Sequence, residues 1–233
     1  MAPIVLAPCS LADSEALSRN NMSAFWTDAN WVISWRNTTL EEHIASTTLR
    51  YPRRLISDHE ISRHQKAIDP ETGRLLGYAR WLLPASNARN ADGELVWPEA
   101  LGPAVGPEEE AEIRRVAAAA PWNPINDSDP LDSKIKEVKE RLLQKKPYMY
   151  YLAVHPENQG KGVGSLLIQS GMKQAEKLGL DIFIVAFRGG WGVYSRHGFR
   201  VEEELIQDDS IYGGPGEYAM RFMIYDQPQK SEV

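Results

Sequence analysis

The stretch YMYYLAVHPENQGKGVGS, residues 148–165, decides how this chain is read. Its first seven residues are aromatic and aliphatic, a composition that suits a pleated, packed surface, so they form a strand. Three glycines within five residues, Gly160, Gly162 and Gly164, then break the pattern. Beyond them Val163, Leu166, Leu167, Ala175 and Leu178 share a helix face, and Gly179 is placed to cap that helix. Residues 181–187 read as a fully buried strand, which after a helical crossover should lie parallel to the first. A short helix over 191–196, ended by Gly198, and strands over 201–206 and 218–225 complete a mixed sheet.

Glycines at a strand-to-helix junction leave backbone N–H groups unshielded, and the helix N-terminus adds partial positive charge there. Such a turn binds anions, most often phosphate, although tight turns also use glycine for steric reasons alone. A dinucleotide fingerprint would need a third glycine where Ser165 stands, and a Walker loop would need Ser or Thr after Lys161, where Gly162 stands. Both readings fail.

Working outward, residues 4–7 read as a short strand, and Asp13 is placed to cap a helix carrying Leu17, Phe25 and Trp26 toward a core. Thr39 with Glu42 makes a capping box for a second helix, which Pro52 is expected to stop. HQKAIDPETGRLLGYARWLL, residues 64–83, is a hairpin turning at 69–73. Residues 84–147 differ in texture, with eight of the chain's fifteen prolines, and read as an insertion carrying two surface helices. One starts at Pro107 ahead of three glutamates; the other starts at Pro130 and ends at Lys145 and Lys146 before Pro147.

The 233 residues suffice for one self-contained domain. One cysteine excludes an intramolecular disulfide and a zinc finger, and a formal charge of −6 with no basic cluster argues against nucleic acid and anionic membranes. No apolar run reaches the roughly 18 residues of a membrane span, and MAPIVLAPCS lacks a basic leader region. The expectation is a cytoplasmic, soluble protein of undetermined oligomeric state, for which a homodimer is one option.

The pattern Gln159-x-x-Gly162-x-Gly164 directly after a strand ending Leu152-Ala153-Val154 resembles the GCN5-related N-acetyltransferase (GNAT) superfamily. The segment Tyr194-Ser195-Arg196-His197-Gly198-Phe199 extends the resemblance, which is firm over 148–205 and loose over 1–83, with 84–147 outside the common pattern. It implies an α/β fold with a mostly antiparallel mixed sheet flanked by helices, a helical insertion before the cofactor-binding strand, and acetyl-CoA as co-substrate. Gln159, Gly160, Lys161, Gly162, Val163, Gly164 and Ser165 would cradle its pyrophosphate. Leu152 and Val154 would offer backbone groups to its pantetheine, and Arg196 would join the cofactor site.

The resemblance also makes Tyr194 the candidate acid for the leaving thiolate. An amine of pKa about 10.4 is neutral only about once in 2,500 molecules at pH 7, so a base or a desolvating site is also needed. His155 is a weak candidate, and Asp208, Asp209 and Glu217 read as solvated carboxylates. Trp31 and Trp35 are the acceptor-site candidates. Arg53 and Arg54 read as a solvated patch, and Cys9 as a packing residue. His59 and His64 are wrongly spaced for a zinc helix, and no metal is expected. The leading expectation is direct transfer of acetyl to a small-molecule primary amine in a ternary complex. The alternatives are a protein lysine or N-terminal acetyltransferase and a non-catalytic acyl-CoA-binding module.

Overall fold

The hairpin turn shapes the first sheet. Asp69 Oδ1 accepts from the Glu71 amide at 2.9 Å and the Gly73 amide donates to the Asp69 carbonyl at 2.8 Å. This returns the chain from β2 (Ser62–Ile68) into β3 (Leu75–Leu82). The computed structural model describes residues 3–126, 129–143 and 148–227. Within them β1 (Val5–Pro8) pairs with β2, and β4 (Tyr148–Val154) pairs with β3, giving a four-stranded sheet β1-β2-β3-β4. A second sheet has the order β5-β7-β6, from β5 (Ile182–Ala186), β6 (Arg200–Asp208) and β7 (Glu217–Tyr225).

Every ladder among the described residues is antiparallel. The fold is α/β with helices flanking antiparallel sheets, but β5 does not pair in parallel with β4 in one mixed sheet. β4 and β5 are neighbours in different sheets. Side chains occupy the polar backbone at the end of β4: Asn20 Nδ2 donates to the Ala153 carbonyl at 3.1 Å, and Gln159 Nε2 donates to the Val154 carbonyl at 3.3 Å. β5 is paired with β7 over all five of its residues.

Helices α1 (Ser14–Phe25) and α3 (Leu40–Ile56) pack together on one side of the first sheet, joined through the short α2 (Ala29–Val32). Asp13 stands at the N-cap position of α1, but its carboxylate caps nothing there. It takes Lys66 Nζ at 2.6 Å instead and ties the helix start to β2. The Thr39–Glu42 capping box opens α3 as expected.

Pro52 does not stop α3; the helix continues to Ile56. An interior proline costs about 3 kcal/mol, whereas burying Leu55 and Ile56 recovers about 1.5–3 kcal/mol each. Leu55 is fully buried, and the Ser57 amide closes the last turn on the Arg53 carbonyl at 3.0 Å.

On the other face, α6 (Val163–Leu178) covers the sheet and builds the largest core cluster with Trp81, Leu167 and Ile168. The approach is closest at Gly171, where a Cβ would lie 1.9 Å from the Trp81 ring.

The 84–147 stretch is woven into this frame. Arg63, fully buried, donates to the carbonyls of Val96 at 2.8 Å and Ala88 at 3.4 Å and so holds the 88–96 loop, while Trp97 packs on Trp81 at 5.8 Å. α4 (Pro107–Ala119) lies on α3. α5 (Asp129–Leu143) sets Val138 against Phe183, Phe222 and Ile224 of the second sheet. The expected helix end at Lys145, Lys146 and Pro147 falls outside the described residues.

Candidate active site

β4 ends at Val154, and the chain turns through a short 3-10 segment over Pro156–Asn158 before entering α6. Asn158 is buried and anchors the turn by donating from Nδ2 to the Leu76 carbonyl at 3.3 Å. Its Oδ1 receives Lys161 Nζ and Arg74 at 3.4 Å each, so two cations stand at the turn. Gly160 and Gly162 adopt left-handed φ of 74° and 83°, and Gly162 is the N-cap of α6. A side chain is disfavoured at both, yet a Cβ at either would meet no atom within 4 Å. Gly164 lies against Val154 and Leu152, whose side chains come within 4 Å of its Cβ position. Thus Gln159 through Ser165, Leu152 and Val154 are brought together where β4 runs into α6. Arg196 is exposed at the end of α7 (Trp191–Arg196).

Tyr194 is buried in α7, packed on Phe199 at 5.5 Å and in the core cluster that Leu152 and Val154 border. Burial pushes its hydroxyl well above the ordinary tyrosine value, so it stays protonated. His155 is engaged as a local cap, with Nδ1 accepting from the Glu157 amide at 3.3 Å.

The other side of the site rests on a contact the sequence reading missed. Asn20 Oδ1 accepts from the His155 amide at 2.9 Å while its Nδ2 holds the Ala153 carbonyl. Nδ2 also donates to Asn21 at 2.8 Å, and Asn21 bonds the Tyr51 hydroxyl. The signal lay in helical spacing: Asn20 and Asn21 stand three and four places after the fully buried Leu17, on its face. Polar residues on a buried face need partners.

Trp31 is half-buried and Trp35 buried. Both surround His43, with ring centroids at 5.4 and 4.0 Å, and Trp122 joins at 5.4 Å. Burial pulls the His43 imidazole down to about 4. Asp209 is not a solvated carboxylate: it is fully buried, accepts from the Gly216 amide at 2.7 Å and from Asn30 of α2, and docks the β6–β7 loop onto the α1–α3 connection. Asp208 and Glu217 are exposed. Burial and then Asp132, Asp209 and Asp28 raise the Tyr218 hydroxyl to about 12. Cys9 is buried and its thiol pushed up by that burial, which suits packing rather than nucleophilic work. His64 bonds the Tyr78 hydroxyl at 2.7 Å. Among the described residues no group of three or more His, Cys, Asp or Glu is arranged to hold a metal, and no helix is long and apolar enough to cross a membrane.

Residues 134–201, under a third of the chain, match the family model described as the acetyltransferase (GNAT) domain. The match begins inside the 84–147 stretch, within α5. No curated protein sequence matches significantly.

Among solved structures the fold is shared with a Corynebacterium glutamicum protein described as histone acetyltransferase HPA2 and related acetyltransferase. The two are 17% identical over 98% of each chain, with a TM-score of 0.56. The PaiA N-acetyltransferase of Thermoplasma acidophilum, solved with coenzyme A, is 15% identical over 96% of this chain and 99% of its own, with a TM-score of 0.49. The Vibrio cholerae spermidine/spermine N-acetyltransferase SpeG is 12% identical over 95% and 93%, with a TM-score of 0.49.

Proposed function

We propose that this protein transfers acetyl from acetyl-CoA directly to a primary amine of a small molecule. The observation that carries the reading is the open turn at Gly160–Gly162, seated between β4 and the start of α6 where the two sheets part. The amides of residues 159–165, with Lys161 beside them, would bind the diphosphate. Leu152 and Val154 would align the pantetheine arm along β4. Bound there, acetyl-CoA supplies a thioester whose acyl carbon accepts the amine lone pair as the carbon–sulfur bond breaks. Tyr194 holds the proton that the departing sulfur takes, and its hydroxyl regains one from solvent as the new amide nitrogen sheds its own.

Asp28 and Asp209 border the α1–α3 connection, Asp209 docking the β6–β7 loop onto it through Asn30. Trp31 and Trp35 belong to the aromatic wall bordering that connection. The test incubates the enzyme with acetyl-CoA and a panel of polyamines, amino acids, aromatic amines and lysine peptides, following coenzyme A release and the mass gain of one acetyl group. Release driven by a small amine supports the proposal. Release only with peptides replaces it with the protein-acetyltransferase alternative, and binding of acetyl-CoA without turnover on any amine leaves the non-catalytic module.

A further inference from the structure

Away from the glycine turn, at the opposite end of β3, lies a cavity of about 310 Å³ between the second half of α3 and Trp122 of the 84–147 stretch. Four arginines line it, Arg50, Arg53, Arg54 and Arg80, against the single carboxylate of Asp58. For a chain of net charge −6 this is a local reversal of sign, and the sequence reading, which saw only the adjacent Arg53 and Arg54, found no concentrated positive field. The fold creates one by bringing Arg80 from β3 beneath α3.

Two of the guanidinium groups are held in place. Arg50 stacks on the Trp122 ring at 4.4 Å and donates to the Ala117 carbonyl at 3.0 Å. Arg80, whose side chain is only 11% exposed, reaches Asp58 at 3.5 Å and Ser62 Oγ at 3.4 Å. Asp58, whose side chain is 58% exposed, is the one carboxylate among the residues that line the cavity. Burial, then Arg53 and Arg54, lower the Arg50 pKa, the mark of crowded like charge. A second observation is independent of charge: Thr47, buried, lines the same cavity, and its Oγ1 has no hydrogen-bond partner among the described residues. Ordered guanidinium forks beside an orphan hydroxyl match tetrahedral oxyanions, whose several oxygens accept from many donors at once.

We propose that this cavity is a second anion site, separate from the glycine turn, which takes the phosphoryl group of a small molecule on Arg50, Arg53, Arg54, Arg80 and the Thr47 hydroxyl. The site does not depend on the acetyltransferase reading. Its volume is at the lower end of small-ligand pockets, which suits a compact phosphorylated ligand.

The test titrates the full chain with inorganic pyrophosphate by calorimetry at constant ionic strength, with and without coenzyme A, which would occupy the glycine turn. One pyrophosphate per chain is expected to bind in the presence of coenzyme A, at least tenfold more weakly in R53Q/R54Q and several-fold more weakly in T47V. Coenzyme A binding should be unchanged in both variants. The double substitution relieves like-charge repulsion, and the isosteric Thr47→Val provides a second readout if the first variant misfolds. No heat with pyrophosphate, or equal affinity in wild type and both variants, overturns the site. Citrate binding as tightly as pyrophosphate overturns the phosphoryl assignment. Failure of coenzyme A alone to bind would instead count against the acetyltransferase reading.

Discussion

Replacing Asn20 by alanine tests how the open end of β4 is held. Asn20 is 3% exposed, and its side chain satisfies the Ala153 carbonyl, the His155 amide and Asn21. Alanine orphans two backbone groups, and leaving a buried polar group unmet costs about 1–3 kcal/mol. His155 is half-buried, so water can reach its amide more readily than the Ala153 carbonyl. The net loss is therefore roughly 2–4 kcal/mol. For a chain of this length each kcal/mol lowers Tm by about 2–4 °C, so a fall of roughly 5–15 °C is expected.

Asn20→Asp sharpens the test. It keeps the acceptor for the His155 amide but turns a second oxygen on the Ala153 carbonyl, and at neutral pH it should destabilise at least as much. Thermal unfolding of the three proteins, paired with coenzyme A calorimetry, reads both effects. Coenzyme A affinity should fall several-fold, because the end of β4 that adjoins the glycine turn loses its tether. A Tm within about 2 °C of wild type for Asn20→Ala, with unchanged coenzyme A affinity, would refute the reasoning.

Tyr194→Phe should lower kcat strongly and leave acetyl-CoA affinity within a few-fold, since the ring keeps its packing on Phe199; unchanged turnover removes the acid role. Gly162→Ala meets no atom but must hold φ of 83°, so it should cost about 1–2 kcal/mol of stability. Calorimetry should show coenzyme A binding falling far more than that, and equal losses would argue for a purely structural turn. The imidazoles of His43 and His64 are pulled down by burial to about 4 and about 3. The unfolded chain therefore binds the extra protons, and stability, fully present above pH 6.5, is lost as pH falls toward those values at up to about 1.4 kcal/mol per pH unit for each residue. Urea midpoints between pH 7 and 5 should decline accordingly and flatten in His43→Phe, and an unaltered slope in that variant would show that His43 is not a contributor.

The parts of the molecule legible beforehand are those whose cause is local. The β4–turn–α6 unit, the Asp69–Gly73 hairpin and the Thr39–Glu42 box follow from glycine, proline and capping chemistry within a few residues, and all three stand. Pro52 was misread because its local penalty is offset by Leu55 and Ile56, whose burial depends on elements distant in the chain. Asp209 was misread for a related reason: nothing near it in sequence reveals Asn30, 179 positions away, as its partner.

By itself the sequence determined where the glycine-rich turn lies and which strand and helix flank it, because left-handed backbone and unshielded amides are properties of neighbouring residues. Only the tertiary structure decided that β4 parts from β5, that Asn20 holds the end of the parted strand, and that Arg80 joins three arginines of α3 around Thr47. Hydrogen bonds and charges between distant segments depend on which faces meet in the packed core, and that pairing is a global outcome of burial that local spacing does not encode.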